Sequence, residues 1–467
     1  MDAQRPGTKL DRAELAALEA SFGGQLVLPA DAAYDERRKV WNGSIDRSPG
    51  LIAYCAGVGD VMAAVGFARN AGIEVAVRSG GHSFPGSSVC DGGLVIDLSR
   101  MRGIRVDPQA RTARAQAGVL WGDLDRETQA FGLATTGGIV THTGIAGLTL
   151  GGGIGWLQRK HGLTIDQLLS VDMVTAGGEF VTASETENTE LFWGLRGGGG
   201  NFGIVTEFEY RLHPVGPIVL AGPIFWPMDK APEVLRFYRD WSAAAPDELM
   251  TIVIQRKAPP LPIIPTEFHG NPVVSVVCCY AGPIEDGERV IRPLKQFGSP
   301  ILDLCVPKPY VTHQATFDAS FPHDWWYYMR ACDVATLSDD VIDIAVDHAR
   351  RIRSPLTAFP IWQMGGAVSR VADDETAFNG RNAGHTFNIT AATATAEGFD
   401  AEREWVRNFW TALEPHHTSV YVNFLMDEGQ DRIRQAYGAA KYRRLQSLKQ
   451  QFDPLNFFHL NQNIPPG

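Results

Sequence analysis

The sequence predicts an α+β fold built in at least two parts, and three observations lead there. The chain has 467 residues, long enough for two or more domains or for one domain with a large insertion. Up to Pro214, strand and helix patterns are separated by long glycine-rich stretches. Beyond Pro214 glycine thins, aromatics rise, and strand patterns alternate with amphipathic helices, as in an antiparallel sheet backed by helices on one face.

Composition narrows the function. Hydrophobic residues make up 44% of the chain and charged residues 20%, ordinary values for a globular protein with an ample core. A net charge of −11 and the lack of a basic stretch argue against a nucleic-acid partner. No apolar run reaches the ~18 residues that span a bilayer. The longest candidate, residues 51–68, is broken by Gly57, Gly59 and Asp60. The N-terminus has no basic region followed by an apolar one, so no signal peptide is expected and a cytoplasmic location with reduced thiols is the default. Cys55, Cys90, Cys278, Cys279, Cys305 and Cys332 form no Cys-x-x-Cys pair, which speaks against zinc and against a disulfide framework. His416 and His417 are adjacent and point apart, so no metal site is expected.

Residues 12–20 carry a short helical pattern, and Val40-Trp41-Asn42-Gly43 opens a polar loop. Residues 52–57 read as a strand. The next helix has Asp60 as its cap, Val61, Ala64, Val65 and Ala68 on one face, and Gly72 at its close. Residues 73–78 are the following strand, and its exit is the centre of the reading. In Arg78-Ser79-Gly80-Gly81-His82-Ser83, two glycines permit positive φ and close backbone approach. Successive N–H groups in such a turn make an anion-binding nest, and Arg78 adds a cation suited to a phosphate. Residues 94–98 and 112–117 read as strands and 121–131 as a helix.

Residues 137–155 hold eight glycines in nineteen positions, which defeats regular helix or strand. The run lacks serine and is rich in Ile, Val and Leu, unlike a solvated linker. It predicts backbone laid flat against a large planar ligand. Residues 172–176 and 179–183 form a hairpin around Gly177-Gly178. Gly198, Gly200 and Gly203 match G-x-G-x-x-G, but a helix precedes them and a strand follows, the reverse of the dinucleotide turn. In the second half, residues 251–254, 272–280, 359–364, 386–391 and 419–425 read as strands. Residues 232–245, 285–297, 338–353 and 402–413 read as helices, and the proline-rich residues 256–272 as a loop. On a strand at 419–425, Tyr421, Asn423 and Leu425 share one face. Trp325, Trp326, Tyr327 and Tyr328 would line a cavity or fill a core. Gln363 and His385 are further polar candidates.

Four blocks, in order, resemble the berberine-bridge-enzyme-like flavoproteins of the vanillyl-alcohol-oxidase superfamily. They are the 78–83 turn, the 137–155 run with Lys160-His161-Gly162-Leu163-Thr164-Ile165-Asp166, the stretch Gly200-Asn201-Phe202-Gly203-Ile204-Val205-Thr206, and the C-terminal Phe452-Asp453-Pro454 to Asn461-Gln462-Asn463-Ile464-Pro465-Pro466. The resemblance implies a two-part FAD-binding domain of the p-cresol methylhydroxylase type, residues 1–213 and 426–467, around a substrate-binding domain, residues 214–425. It also implies FAD contacts from Arg78, Ser79, Gly80, Gly81, Ser83 and Ser88 at the pyrophosphate turn. Gly138, Val140, Thr141, His142, Thr143, Gly147, Leu148, Gly151, Gly152, Gly153, Gly155, Trp156, Leu163 and Asp166 follow around the ring system and ribityl chain. Asn201, Gly203, Val205, Asn461 and Asn463 complete the set, with Val205 at the adenine end.

In that family the histidine after the turn, here His82, is bonded covalently to the flavin 8α-methyl. Many relatives add a cysteinyl link. Val140 stands at that position, so a single link is implied, along with a small alcohol, cyclic amine or secondary metabolite rather than an oligosaccharide. A tryptophan common in the family's pocket is absent from Ala392-Thr393-Ala394. The resemblance further implies an oxidase that reduces O2 to hydrogen peroxide, with Thr143 admitting O2 at the flavin face. Tyr421 is then the base or the group orienting the substrate, assisted by Asn423, with Lys308 or Arg330 as cations to lower its pKa. The alternatives are a flavin dehydrogenase, a sugar oxidase, or a flavin-binding protein with little turnover. The chain is expected as a monomer or homodimer.

Overall fold

A computed structural model describes residues 11–467. Its first part holds two sheets. One runs in the order Gln25–Val27, Leu51–Tyr54, Leu94–Asp97, Val75–Arg78, the last three parallel. Leu51, Ile52, Leu94, Val95 and Ile96 are all fully buried, as expected of strands covered on both faces. The helix Val58–Ala71 crosses over between them and ends on Gly72 at φ +61°. Its cap is not Asp60 but Gly57. Asp60 lies in the first turn, where its carboxylate accepts from the N–H groups of Ala56 and Gly23, each at 2.8 Å. The second sheet is antiparallel, in the order Ile104–Asp107, Thr112–Gln116, Gly203–Arg211, Leu168–Thr175, Phe180–Ser184. Ile104–Asp107 escaped the sequence reading because it is a short edge strand exposed at alternate positions.

The second part is a nine-stranded antiparallel sheet. Its order is Leu302–Asp303, Ile218–Pro227, Pro272–Tyr280, Leu249–Lys257, Ala358–Gln363, His385–Thr393, Trp326–Val334, His417–Ser419, with Val306–Pro309 also on Ile218–Pro227. Ala231–Ala243, Asp339–Arg350, Phe399–Leu413 and Ile284–Gln296 cover one face and share its apolar core. The other face, with Ile252, Ile254 and Trp362, turns toward the first part. Ile218–Pro227 was not foreseen because Gly222 and Pro223 interrupt it. They fall between its two short partners, Val306–Pro309 and Leu302–Asp303, where the strand kinks at φ +137°.

The chain then crosses back. Val420, Val422 and Leu425 already pack in the core of the first part, with Leu445, Leu448, Phe458 and Ile464 from the C-terminal segment. Residues 419–425 are not a strand. The edge strand stops at Ser419, and a turn over Val422–Phe424 follows, closed by Phe424 N–H to Tyr421 C=O at 3.0 Å. No helix of the described residues is long and apolar enough to cross a membrane.

Candidate active site

Between the two parts lies a cavity of about 390 Å³, within the usual range of small-molecule sites. Ser79, Gly80, Gly81, His82, Ser83 and Ser88 form one wall, at the exit of Val75–Arg78. Gly138, Val140, Thr143, Gly147 and Leu148 form the next. These two loops meet backbone to backbone. A Cβ on Gly80 would sit 2.4 Å from the nitrogen of Gly144, and one on Gly144 would sit 2.4 Å from the nitrogen of Gly80. The 137–155 run is not wholly irregular: Ile145–Leu150 is a short helix packed on the core, and its Gly147 faces open space. Asn201, Gly203, Val205, Asn461 and Gln462 line the far end.

Other sequence candidates hold the walls instead of lining them. Arg78 is not a free cation: it pairs with buried Asp97 and donates to the carbonyls of Arg37 and Lys39 at 2.8 and 3.2 Å. Thr141 binds Asp318 twice, through its N–H at 2.8 Å and its hydroxyl at 2.6 Å, tying the loop to the second part. Gly151, Gly152, Gly153 and Gly155 make room for protein, since a Cβ on each would strike Asn423, Phe378, Thr164 or the carbonyl of Gly137. Trp156 and Leu163 are buried in the interface core. Asp166 accepts from Leu163 N–H at 2.8 Å and pairs with fully buried Arg381 at 2.7 Å. Asn463 is a wall residue too, its carbonyl accepting from Gln430 at 3.1 Å. Tyr327 stacks on Trp41 and Tyr328 bonds Arg330 and Arg407, so the aromatic cluster of 325–328 is packing. Gln363 bonds Thr251 and Ser242 away from the cavity. His385 is buried against Tyr238, its pKa lowered by burial to about 4.

His82 is half-buried with its Nε2 enclosed, its ring 4.0 Å from that of Trp41 and 17° from parallel; His142 stands 5.1 Å away. Burial first, then the nearby His142 and His323, push its pKa well below the ordinary value, so the imidazole is neutral at pH 7. His142 is itself lowered by burial and does not line the cavity.

Tyr421 and Asn423 do meet, by the turn and not by a shared strand face. Tyr421 Oη accepts from Asn423 Nδ2 at 2.8 Å and from the Gly153 N–H at 2.9 Å. Asn423 is fixed by a second bond to the carbonyl of Leu148 at 3.0 Å. Burial raises the Tyr421 pKa to about 12 despite these two donors and the Ile154 N–H. Among the described residues no cation assists: Arg330 pairs with Glu428, and Lys308 donates to the carbonyl of Leu304 at 3.3 Å. Both bonds use the oxygen as acceptor, and among the described residues no acceptor takes its O–H, which leaves the phenol a donor available on the cavity wall.

The sequence reading missed the sheet side of the cavity: Ile252, Ile254 and Arg256 on one strand, Trp362 on the next, Asn388 and Thr390 on a third. The signal was the alternation Ile252-x-Ile254-x-Arg256, which puts an arginine on an otherwise apolar face. Among the described residues no cluster of acidic, histidine or cysteine side chains is arranged to hold a metal.

The cavity walls fit a dinucleotide. His82 Nε2, Ser88 Oγ, Tyr437 Oη and Asn461 Oδ1 are buried without a partner on cavity-lining residues, and Gly147 and Gly200 have nothing within 4 Å of a would-be Cβ. Such atoms call for a ligand rich in donors and acceptors. Fold and site together define an FAD-dependent oxidoreductase. A family model described as FAD binding domain matches residues 49–184, and one described as berberine and berberine like matches residues 420–465. An FAD-linked oxidoreductase of Dictyostelium discoideum is 34% identical over 432 residues, 92% of this chain and 91% of that one. The crystal structure of 6-hydroxy-D-nicotine oxidase from Arthrobacter nicotinovorans superposes with a TM-score of 0.87 at 29% identity, covering 96% of this chain and 99% of that one. Glucooligosaccharide oxidase from Acremonium strictum, described with a 6-S-cysteinyl, 8α-N1-histidyl FAD, shares the fold at a TM-score of 0.85 and 23% identity, over 97% and 100% of the two chains. The chain is a member of the berberine-bridge-enzyme-like FAD-linked oxidoreductases.

Proposed function

We propose that this enzyme is an oxidase that removes two electrons from a C–H bond beside an alcohol or amine in a small organic substrate and passes them to O2, giving hydrogen peroxide. A bound flavin supplies the two-electron chemistry. The observation that carries the reading is Tyr421, a cavity-lining phenol whose oxygen accepts from two N–H donors and whose O–H finds no acceptor among the described residues. It positions the substrate heteroatom by hydrogen bonding. The cofactor is held in this reading by residues of 1–213 and 426–467, and the substrate is met by residues of 214–425.

His82 is assigned the covalent link to FAD. A neutral imidazole with a free lone pair is the nucleophilic form, and Trp41 fixes the ring plane. Val140, at the other family link position, has no sulfur to offer. Thr143 on the cavity wall leaves room for O2.

Acid-precipitated protein should stay yellow, with the flavin-bearing peptide at His82, and His82→Ala should release its flavin. Colour passing wholly into the supernatant of the wild type removes the covalent assignment. A peroxide assay across alcohols, cyclic amines and sugars, with an artificial electron acceptor in parallel, tests the chemistry. Reduction without peroxide means a dehydrogenase, sugar turnover alone means a sugar oxidase, and no bleaching with any substrate leaves a flavin carrier.

A further inference from the structure

Arg256 lies near the end of the strand Leu249–Lys257, on its cavity face after Ile252 and Ile254. The antiparallel register sets it opposite Ala358, which in turn lies opposite Thr390. The cross-strand row is therefore a cation, a small methyl and a hydroxyl, with open space above the methyl. Among the described residues, the guanidinium has one hydrogen bond, from Nη1 to Ser320 Oγ at 3.3 Å. Its Nε is buried and unpartnered. No carboxylate pairs with it, unlike Arg78 on Asp97 and Arg381 on Asp166; Arg159 donates to three carbonyls, and Arg196, which does not line the cavity, donates to the carbonyl of Glu375 and lies over the Phe192 ring. Burial lowers the Arg256 pKa and no acidic group offsets it. An arginine nevertheless stays charged at pH 7. On the same face, Asn388 Oδ1 accepts from the Thr390 hydroxyl, and among the described residues no acceptor takes its Nδ2. The sheet face is thus mainly apolar, and its polar groups are one cation without a carboxylate, the bonded Asn388–Thr390 pair and the unpartnered Trp362 indole N–H.

Leaving a charge enclosed without a partner is costly, and nothing in the fold recovers the cost. We propose that Arg256 is the recognition point for a carboxylate on the substrate, so that the enzyme takes a small, mainly apolar acid, with Asn388 as a second donor to the same group. This rests on the oxidase reading of the same cavity. A single guanidinium matches the singly charged, two-oxygen fork of a carboxylate; a phosphate calls for more cations than this wall has.

The test uses the flavin-loaded enzyme, with benzoate, phenylacetate and phenylpropionate against their amides, read by perturbation of the flavin absorbance and by thermal shift. The acids should bind roughly 10–100-fold more tightly than the amides, the range expected for hydrogen bonds to a charged partner. Arg256→Gln should abolish the difference, and Arg256→Lys should keep part of it. Free of ligand, Arg256→Gln should melt no lower than wild type, because it removes an unpaired charge; a fold-supporting arginine would show the opposite. Equal binding of acids and amides, no binding of any acid, or loss of flavin from Arg256→Gln overturns the assignment. If the wild type carries no flavin at all, the oxidase reading fails separately, and an acid-specific thermal shift lost in Arg256→Gln still supports the anion site.

Discussion

Tyr421 sits where two effects oppose each other. Its two N–H partners favour the phenolate, and its enclosure favours the phenol; enclosure prevails, with a pKa of about 12. The sign for stability follows. The folded pKa lies above the ~10 of a free phenol, so the protein binds that proton more tightly when folded. This contribution is complete below pH ~10 and is lost as pH rises from there toward about 12. For catalysis, a phenol that remains protonated donates and does not abstract. Flavin reduction should show no rising limb from Tyr421 between pH 7 and 10, and Tyr421→Phe should slow it by roughly 10²-fold, the lower end for a positioned proton-bearing group. The same change strands the Gly153 N–H and the Asn423 amide, which costs roughly 1–3 kcal/mol of stability for a buried donor. Anaerobic stopped-flow across pH, with a melting curve for the variant, measures both. A unit-slope increase through pH 8–10 that vanishes in Tyr421→Phe would restore the phenolate base.

At the scale of elements, the cavity wall assigned above to the cofactor depends on two loops whose backbones touch. Gly144 is at φ −68°, a conformation any residue adopts, so what excludes a side chain there is space alone. Gly144→Ala should push the 79–83 turn away from the 138–148 segment. The expected result is a folded protein with most of its flavin lost, read as flavin content against melting temperature; full flavin content would show that the loops give way freely. The wall was legible in the sequence because strand, double glycine and histidine are consecutive and each acts locally. Tyr421 and Asn423 were legible only as a pair. Alternation put them on one face of a strand, whereas the chain leaves the sheet at Ser419 and joins them through a turn, a change decided by which core Val420 and Val422 enter. Arg78 misled for a related reason: its cationic chemistry was evident, but Asp97, which neutralises it, is brought in by the parallel neighbour strand. Arg256 was legible only as a position in the alternation of its strand; its meaning lies in the partners it lacks, and only the folded sheet shows those.

At the scale of the whole molecule, the last stretch of chain closes the cavity. Lys449 and Asp453 are fully buried one helical turn apart. Lys449 Nζ donates to the carbonyls of Asn201 and Phe458, each at 2.8 Å, and to Asp453 at 2.6 Å. The Asp453 carboxylate also accepts from the N–H groups of Phe457 and Phe458 at 2.7 and 2.8 Å. Asn201 completes the closure, accepting from Ile464 N–H at 3.0 Å. This fastener joins the 198–203 loop to the 456–464 segment, and both line the far end of the cavity. Replacing either charge alone leaves the other enclosed and unpaired, so Lys449→Met should cost roughly 3–5 kcal/mol. Lys449→Met combined with Asp453→Asn should cost clearly less than the sum of the single changes, because no lone charge remains. Flavin content should follow stability, since Asn201 and Asn461 bond across the same seam, to the carbonyls of Gln462 and Gly200. Denaturant melts of the two single variants and the double variant, with flavin quantified in each, check this. Strict additivity of the two losses would mean that the pair does not act as one fastener and that the far wall is held by apolar packing of Leu445, Leu448 and Phe458 alone.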